Sequence, residues 1–241
     1  MMNCILAADI GGTKTLFQLS TEQGDVVLET EYVSQKFASF DLILTAFLNQ
    51  DKVKESQISS ACFAVAGPVS NRDANVTNLP WTLNADDLAN QFKLQHVHLC
   101  NDFEAVAHGI SCLTDEDIYT LQEGDEDPHA PRAIIGAGTG LGQALLLPDG
   151  DNWKVIATEG GHTDFAPTDR QQTLLLEHLL ERFGHVSYER VVSGVGLVTI
   201  YEFLRAYQQS DEDESLRLAM INGDAGAAIS QFALEGRSPL A

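Results

Sequence analysis

Asp9-Ile10-Gly11-Gly12-Thr13 lies between two apolar runs, Ile5-Leu6-Ala7-Ala8 before it and Leu16-Phe17-Gln18-Leu19 after it. The pattern predicts two adjacent strands joined by a glycine turn, with an aspartate where the first strand ends. Paired glycines let the backbone take positive φ and let an anion approach its N–H groups closely. The aspartate is then placed to hold a hydrated divalent cation against that anion. Neither common phosphate signature is present. No Gly-x-x-x-x-Gly-Lys-[Ser/Thr] occurs, and the turn runs into a strand where a dinucleotide fingerprint needs a helix. The stretch reads either as a phosphate-binding turn or as plain hairpin chemistry with an aspartate nearby.

Working outward, strands are expected at 3–9, 14–20 and 26–32, the last after a turn at Gly24-Asp25. The same order recurs in the second half of the chain. A strand at 133–136 leads into Gly136-Ala137-Gly138-Thr139-Gly140-Leu141-Gly142, a strand at 143–147 follows, then Gly150-Asp151 and a strand at 153–157. This internal repeat predicts a duplicated architecture whose two Gly/Thr hairpins grip a polyphosphate from both sides. The polar, acidic interval 113–131 is the expected boundary, giving domains of 1–112 and 113–241.

Between these landmarks, Phe40, Ile43, Leu44, Phe47 and Leu48 have the spacing of an amphipathic helix. A strand is expected at 58–66, ending at Gly67-Pro68, then a polar loop at 71–81. A helix at 83–93 has Asn84 as its cap, and a strand at 96–100 leads into a helix at 103–110. A helix at 169–183 carries a core stripe of Leu174, Leu175, Leu176, Leu179, Leu180 and Phe183, with His178 on its surface. Further helices are expected at 196–207 and 215–221. If the second half copies the first, a strand, a helix and a strand are still owed when the sequence reaches Ala241.

Lys and Arg number 14 against 35 Asp and Glu, a formal charge of −21. Such a chain repels polyanions, which argues against nucleic acid and acidic membrane surfaces as partners. The acidic stretches 123–127 and 211–214 read as solvated loops. Cys4, Cys62, Cys100 and Cys112 are widely spaced, form no Cys-x-x-Cys, and mostly sit inside apolar runs. No signal peptide and no apolar run near eighteen residues is present, so a cytoplasmic protein is expected.

Three further constellations carry chemistry. Asn101-Asp102 ends a strand and opens a helix, which suits either a helix cap or an aspartate facing a ligand at the strand's carboxyl end. Such an aspartate can take the proton of a sugar hydroxyl as its oxygen attacks phosphorus. Glu159-Gly160-Gly161-His162 forms a polar loop whose two side chains can converge on one ligand; a metal is disfavoured, since no third ligand has recognisable spacing. Glu189 reads by itself as a surface charge.

Taken in order, Ala8-Asp9-Ile10-Gly11-Gly12-Thr13, Asn101-Asp102-Phe103-Glu104-Ala105-Val106-Ala107, Gly136 to Gly142, Glu159 to Pro167 and His185 to Gly194 resemble the bacterial glucokinase family, within the hexokinase and actin-like ATPase superfamily. The resemblance spans nearly the whole chain. It implies an α/β fold of two ribonuclease-H-like lobes with mixed sheets, a cleft between them and an incomplete second lobe. It implies ATP and Mg²⁺ as cofactors and glucose as acceptor, and it allows a homodimer. Residue by residue, Ala8, Asp9, Ile10, Gly11, Gly12 and Thr13 become the first phosphate turn, with Asp9 near magnesium through water. Gly136, Gly138, Thr139 and Gly140 become the second turn. Asp102 becomes the general base for the glucose 6-hydroxyl. Asn78, Asn101, Glu159, His162 and Glu189 become sugar ligands, their planar groups suiting vicinal diols.

Family members continue past the equivalent of Ala241 into a glycine-rich adenosine-binding block and a last helix, so impaired ATP binding is expected of these 241 residues. A cysteine-rich zinc motif after Glu159-x-x-His162 and a preceding winged helix are both missing, which disfavours a sugar-responsive repressor. The alternatives kept are a kinase for another hexose or amino sugar and a non-catalytic sugar-binding regulatory module.

Overall fold

The computed structural model describes residues 2–125 and 127–241. Its contacts divide the chain into two compact units, Met1–Asp127 and Pro128–Ala241. Glu126, within the acidic stretch 123–127, lies outside the described residues.

The first unit opens with an antiparallel meander, β1 (Met2–Ile10), β2 (Lys14–Thr21) and β3 (Val26–Val33). After α1 (Phe40–Leu48) and the short α2 (Asp51–Lys54), β4 (Ser56–Val65) returns parallel to β1. Three short strands follow, β5 (Val69–Ser70), β6 (Asp73–Asn75) and β7 (Thr82–Asn84), then α3 (Ala85–Phe92), β8 (Val97–Asn101) and α4 (Asp102–Gly109). The main sheet is mixed, in the order β3-β2-β1-β4-β8. Alternation in β1 buries Cys4, Leu6, Ala8 and Ile10 and turns Ile5, Ala7 and Asp9 to the other face. On the core face, α1 lays down Phe40, Ile43, Leu44 and Phe47, one face of the helix. Phe17 stacks on Phe47 at 4.8 Å, and Phe40 meets Phe63 edge-on at 5.2 Å. Each such pair adds about 0.5–1.5 kcal/mol beyond its area burial.

The second unit repeats the meander in β9 (Arg132–Ala137), β10 (Leu141–Asp149) and β11 (Asn152–Thr158), in the order β11-β10-β9. Four helices follow: α5 (Arg170–Phe183), α6 (Gly194–Gln208), α7 (Glu214–Asn222) and α8 (Ala225–Leu234). Helix α6 joins two small cores. Phe203 and its neighbours pack with Leu175 and Leu179 of α5, while Tyr201 packs with Leu216 of α7 and Ile229 and Phe232 of α8.

Four expectations need correction. The stretch 71–81 is not merely loop: it contains β6, paired to β5 through a two-residue turn in which Asn71 and Arg72 both have positive φ, 51° and 68°. Strands of two or three residues are too short to show alternation. Helix α8 was not expected, because its first turns are Ala and Gly and carry no apolar stripe until Ile229 and Phe232. Leu180 stands 43% exposed, on the flank of a stripe otherwise turned inward. Finally, Gly11, Gly12, Gly138 and Gly140 do not adopt positive φ, so left-handed backbone is not why these turns use glycine.

Candidate functional site

In the first unit the parallel strands bring their carboxyl ends together, with Ile10 beside Val65 and Val65 beside Asn101. Ligands of open α/β sheets bind at such an edge. The turn that follows β1 is braced from outside. The Ser34 hydroxyl donates to Gly11 O at 2.8 Å, and its backbone N–H donates to Thr13 O at 2.9 Å. Ser34 is fully buried, and no signal in the sequence points to it. A Cβ on Gly12 would stand 2.9 Å from the carbonyl oxygen of Thr77. Glycine is therefore used here for close approach, and the turn rests against the loop carrying Asn78. Asn78 is exposed and left-handed, at φ 65°. Of the predicted phosphate residues, Ala8 and Ile10 have buried side chains, leaving only their backbone for a ligand.

Asn101 does what a cap does. Its Oδ1 accepts from Phe103 N at 2.9 Å and from Glu104 N, and its Nδ2 donates to Gly67 O at 3.1 Å. Of the two alternatives read for Asn101-Asp102, the cap is the one Asn101 fills, with its side chain committed to it. Asp102 follows directly, its Oδ1 accepting from Phe103 N at 2.8 Å. Loss of water raises the Asp102 carboxyl above its ordinary range, partly offset by that backbone bond. Asp9 is also raised, first by desolvation and then by the negative charge of Asp102. The two carboxylates lie within electrostatic reach of one another. A pair of carboxylates strained in this way suits a hard, hydrated divalent cation, which relieves both effects.

In the second unit Gly136 and Gly142 face each other across β9 and β10, so the turn proper narrows to Gly138-Thr139-Gly140. Glu189, from a short helical turn 48 residues on, reaches back to it. Its Oε2 accepts from Leu141 N at 2.9 Å. A Cβ on Gly140 would stand 2.5 Å from that same oxygen. Ser193 holds Glu189 in turn, donating to its carbonyl at 2.7 Å while capping α6 through Gly196 N. His162 stands between two acids: Nε2 lies 3.7 Å from Glu159 Oε2, and Nδ1 lies 3.9 Å from Glu189 Oε1. Glu159 and His162 are largely exposed and Glu189 is mostly shielded. Glu159, His162, Glu189 and the second turn therefore form one cluster.

Beside that turn is a cavity of about 700 Å³ lined by Gly138, Thr139, Val191, Gly194, Asp224 and Gly226, among others. Gly194 N donates to Gly138 O at 2.8 Å. The N-termini of α6 and α8 both open onto this space, already capped by Ser193, which accepts from Gly196 N at 3.0 Å, and by Asp224, which accepts from Ala227 N at 2.9 Å. The cavity was not expected from the sequence. Its one legible signal is the capping serine with two glycines, Ser193-Gly194-Val195-Gly196. Among the described residues no group of three or more His, Cys, Asp or Glu could hold a metal by itself.

The profile of the family described as Glucokinase matches residues 6–241. A protein named Glucokinase from Nostoc punctiforme is 42% identical over 258 residues, covering 99% of this chain and 74% of that protein. Among solved structures, a glucokinase from an Antarctic psychrotroph matches with a TM-score of 0.77 at 29% identity, over 100% of this chain and 73% of that one. A glucokinase from Balamuthia mandrillaris in complex with glucose matches with a TM-score of 0.70 at 26% identity, over 90% and 66% respectively.

Proposed function

The chain belongs to the glucokinase family, and on that premise we propose that it transfers the γ-phosphoryl group of ATP to the 6-hydroxyl of glucose, with Asp102 as general base. The observation that carries this reading is the placing of Asp102, next to Asp9 at the carboxyl edge of the parallel strands, with its carboxyl raised above the ordinary range. A carboxylate so raised is a better proton acceptor for an alcohol than a free one.

The five-strand order β3-β2-β1-β4-β8 supports treating the first part of the chain as a ribonuclease-H-like lobe, residues 1–112, with a larger lobe from 113 onward. Asp102 removes the 6-hydroxyl proton as that oxygen bonds to the γ-phosphorus and the bond to ADP breaks. Asp9 would hold Mg²⁺ through water, and the ion, when bound, neutralises charge on the phosphates. The N–H groups of Gly12 and Thr13 and those of Thr139 and Gly140 bind phosphate oxygens, since Gly11 N and Gly138 N already donate within their turns to Lys14 O and Gly140 O. The 700 Å³ cavity beside Gly138 and Thr139 takes part of the nucleotide.

Glu159 and His162 grip sugar hydroxyls, as does the Glu189 oxygen not bonded to Leu141. In the first unit, Asn78 and Asn101 serve the sugar, Asn101 chiefly by fixing the start of α4 and so the direction of Asp102. Catalysis on this reading is mostly positioning and charge neutralisation.

A coupled assay for sugar 6-phosphate and ADP over a panel of hexoses tests the proposal. Glucose is expected to give the highest kcat/KM. A higher value for another hexose or an amino sugar would overturn the substrate, and glucose binding without ATP turnover would overturn the reaction.

A further inference from the structure

On the face of the first unit's sheet opposite the aromatic core, two thiols meet. Cys62 of β4 and Cys100 of β8 lie on neighbouring parallel strands, offset by two residues, since Cys62 pairs with His98 and Ala64 with Cys100. The offset keeps both side chains on one face. Their sulfurs are 4.0 Å apart. Cys100 is buried at 3% exposure, while Cys62 is half-buried. Helix α4 packs over both strands, and Cys100 stands one residue before Asn101 and two before Asp102. The remaining thiols are elsewhere: Cys4 faces the core on the other side of the sheet, and Cys112 is exposed beyond α4.

We propose that Cys62 and Cys100 form a reversible disulfide, a peroxide-responsive modification site beneath the helix that carries Asp102. The chemistry balances in two steps. Cys62 thiolate attacks a peroxide oxygen, breaking the O–O bond to give a sulfenic acid and hydroxide. The Cys100 sulfur then attacks the Cys62 sulfur, forming S–S and expelling water. Two thiols lose two electrons and the peroxide gains them; a dithiol reductant reverses the exchange. The microenvironment favours Cys62 as the first nucleophile. Hydrogen bonding from the Cys100 thiol lowers its pKa, although burial and the charge of Glu104 oppose this. Cys100, buried 4.0 Å away, serves as the resolving partner.

The same geometry gives the bond a consequence. Closing from 4.0 Å to a disulfide requires the sulfurs to approach by about 2 Å, across a diagonal register of about 7–8 Å that needs some backbone movement. Side-chain rotation cannot absorb all of this, so the end of β8 shifts, and with it the Asn101 cap and Asp102. A displacement near 1 Å at a catalytic group costs on the order of 10²-fold in rate. Strain in the bridge also makes it easily reduced. The cross-link itself does not depend on the function proposed above, whereas its inhibitory effect does.

The test uses a Cys112→Ser protein, to remove the exposed thiol, titrated with hydrogen peroxide. Intact mass is expected to fall by two hydrogens. Alkylation should leave only Cys4 modified, and a non-reducing digest should yield the Cys62–Cys100 linked peptide. Thiol reductant should restore the original mass. Adding Cys62→Ser, or Cys62→Ala as a second form, should abolish the mass loss. Oxidation of Cys62 to sulfinic or sulfonic acid without the linked peptide overturns the proposal. So does an equal mass loss in both Cys62 variants. Turnover, measured in parallel, should fall on the order of 10²-fold on oxidation and recover on reduction. A cross-linked protein with undiminished turnover overturns the inhibitory effect alone, and a protein with no turnover in either state leaves the mass readout to decide the cross-link.

Discussion

The meanders β1-β2-β3 and β9-β10-β11 share strand order, antiparallel pairing and even turn chemistry. Each closes its second hairpin with a left-handed glycine, Gly24 at φ 95° and Gly150 at φ 61°. What differs is what stands beside them. β1 has β4 on its other edge, and its inward residues, Cys4, Leu6, Ala8 and Ile10, are at most 6% exposed. β9 pairs with β10 alone among the described residues, and its Ile135 is 65% exposed. A local pattern of alternation and turns is thus enough to make a meander, but its burial is decided by elements far away in sequence. The first unit gets those elements from α1, β4 and β8.

The two Gly/Thr turns repeat this contrast on a smaller scale. Gly12 is pressed against a backbone oxygen, that of Thr77, which cannot move without moving the loop. Gly140 is pressed against the carboxylate of Glu189, the end of a flexible side chain. The first turn is locked into the fold, and the second is tied to a side chain that belongs to the proposed sugar site.

The sharpest way to separate the units is through Asp102. Asp102→Asn should lower kcat by roughly 10²–10⁴-fold, because the amide keeps the bond from Phe103 N but accepts no proton. Its stability should move the other way. In the folded state the Asp102 carboxyl titrates above its ordinary 3.8, so its contribution to stability is fully present below that pH and is lost as pH rises through the folded value. At pH 7 the charge therefore works against folding, and the Asn variant should unfold at a temperature no lower than the parent's. A calorimetric melt and a kcat measurement on the same preparation decide it. A large fall in both would make Asp102 a structural residue.

The glycine pair comes next. Gly12→Ala should cost about 1–3 kcal/mol of stability, since the new methyl has nowhere to go but into Thr77. Gly140→Ala should cost less than about 1 kcal/mol, because Glu189 can swing aside and solvent can take its place on Leu141 N. It should instead raise the KM for glucose, since the displaced carboxylate leaves His162. Urea melts and a KM series check both, and equal stability losses would erase the distinction between the turns.

The acid limb of kcat/KM follows from the same raised carboxyl. It should lie above pH 3.8, where an ordinary aspartate titrates, because Asp102 must be ionised to act. A pH–rate profile with its limb at or below that value would remove Asp102 as the base.

What was legible in the sequence was whatever a local pattern encodes. The meander strands are apolar runs set off by glycine turns, α1 carries a complete apolar stripe, and Asn84 sits where a cap must be. What was not legible depends on contacts distant in the chain. Ser34 braces Gly11 from 23 residues away, and Glu189 reaches Leu141 across 48. No periodicity reports such pairs. Asn101 shows the limit from the other side. Its sequence context supports a cap and a ligand equally, and the fold commits both ends of its amide, to the α4 N-terminus and to Gly67.

That double commitment gives the smallest and most discriminating effect. Asn84 caps α3 with bonds to Asp86 N and Asp87 N, both 2.9 Å, and its amide also reaches Asp73. Asn84→Ala should cost about 1 kcal/mol, the ordinary worth of a cap. Asn101→Ala removes a cap of the same kind and also leaves Gly67 O without its donor, so it should cost a further 1 kcal/mol or so. Asn101→Asp separates the two parts. It keeps an acceptor for Phe103 N and Glu104 N but offers no N–H to Gly67, and it adds a negative charge next to Asp102. If the cap alone mattered, the Asp variant would match the parent in thermal stability. The arrangement at the sheet edge predicts that it falls between the parent and the Ala variant, and that it moves the acid limb of kcat/KM upward as a second carboxylate further raises Asp102.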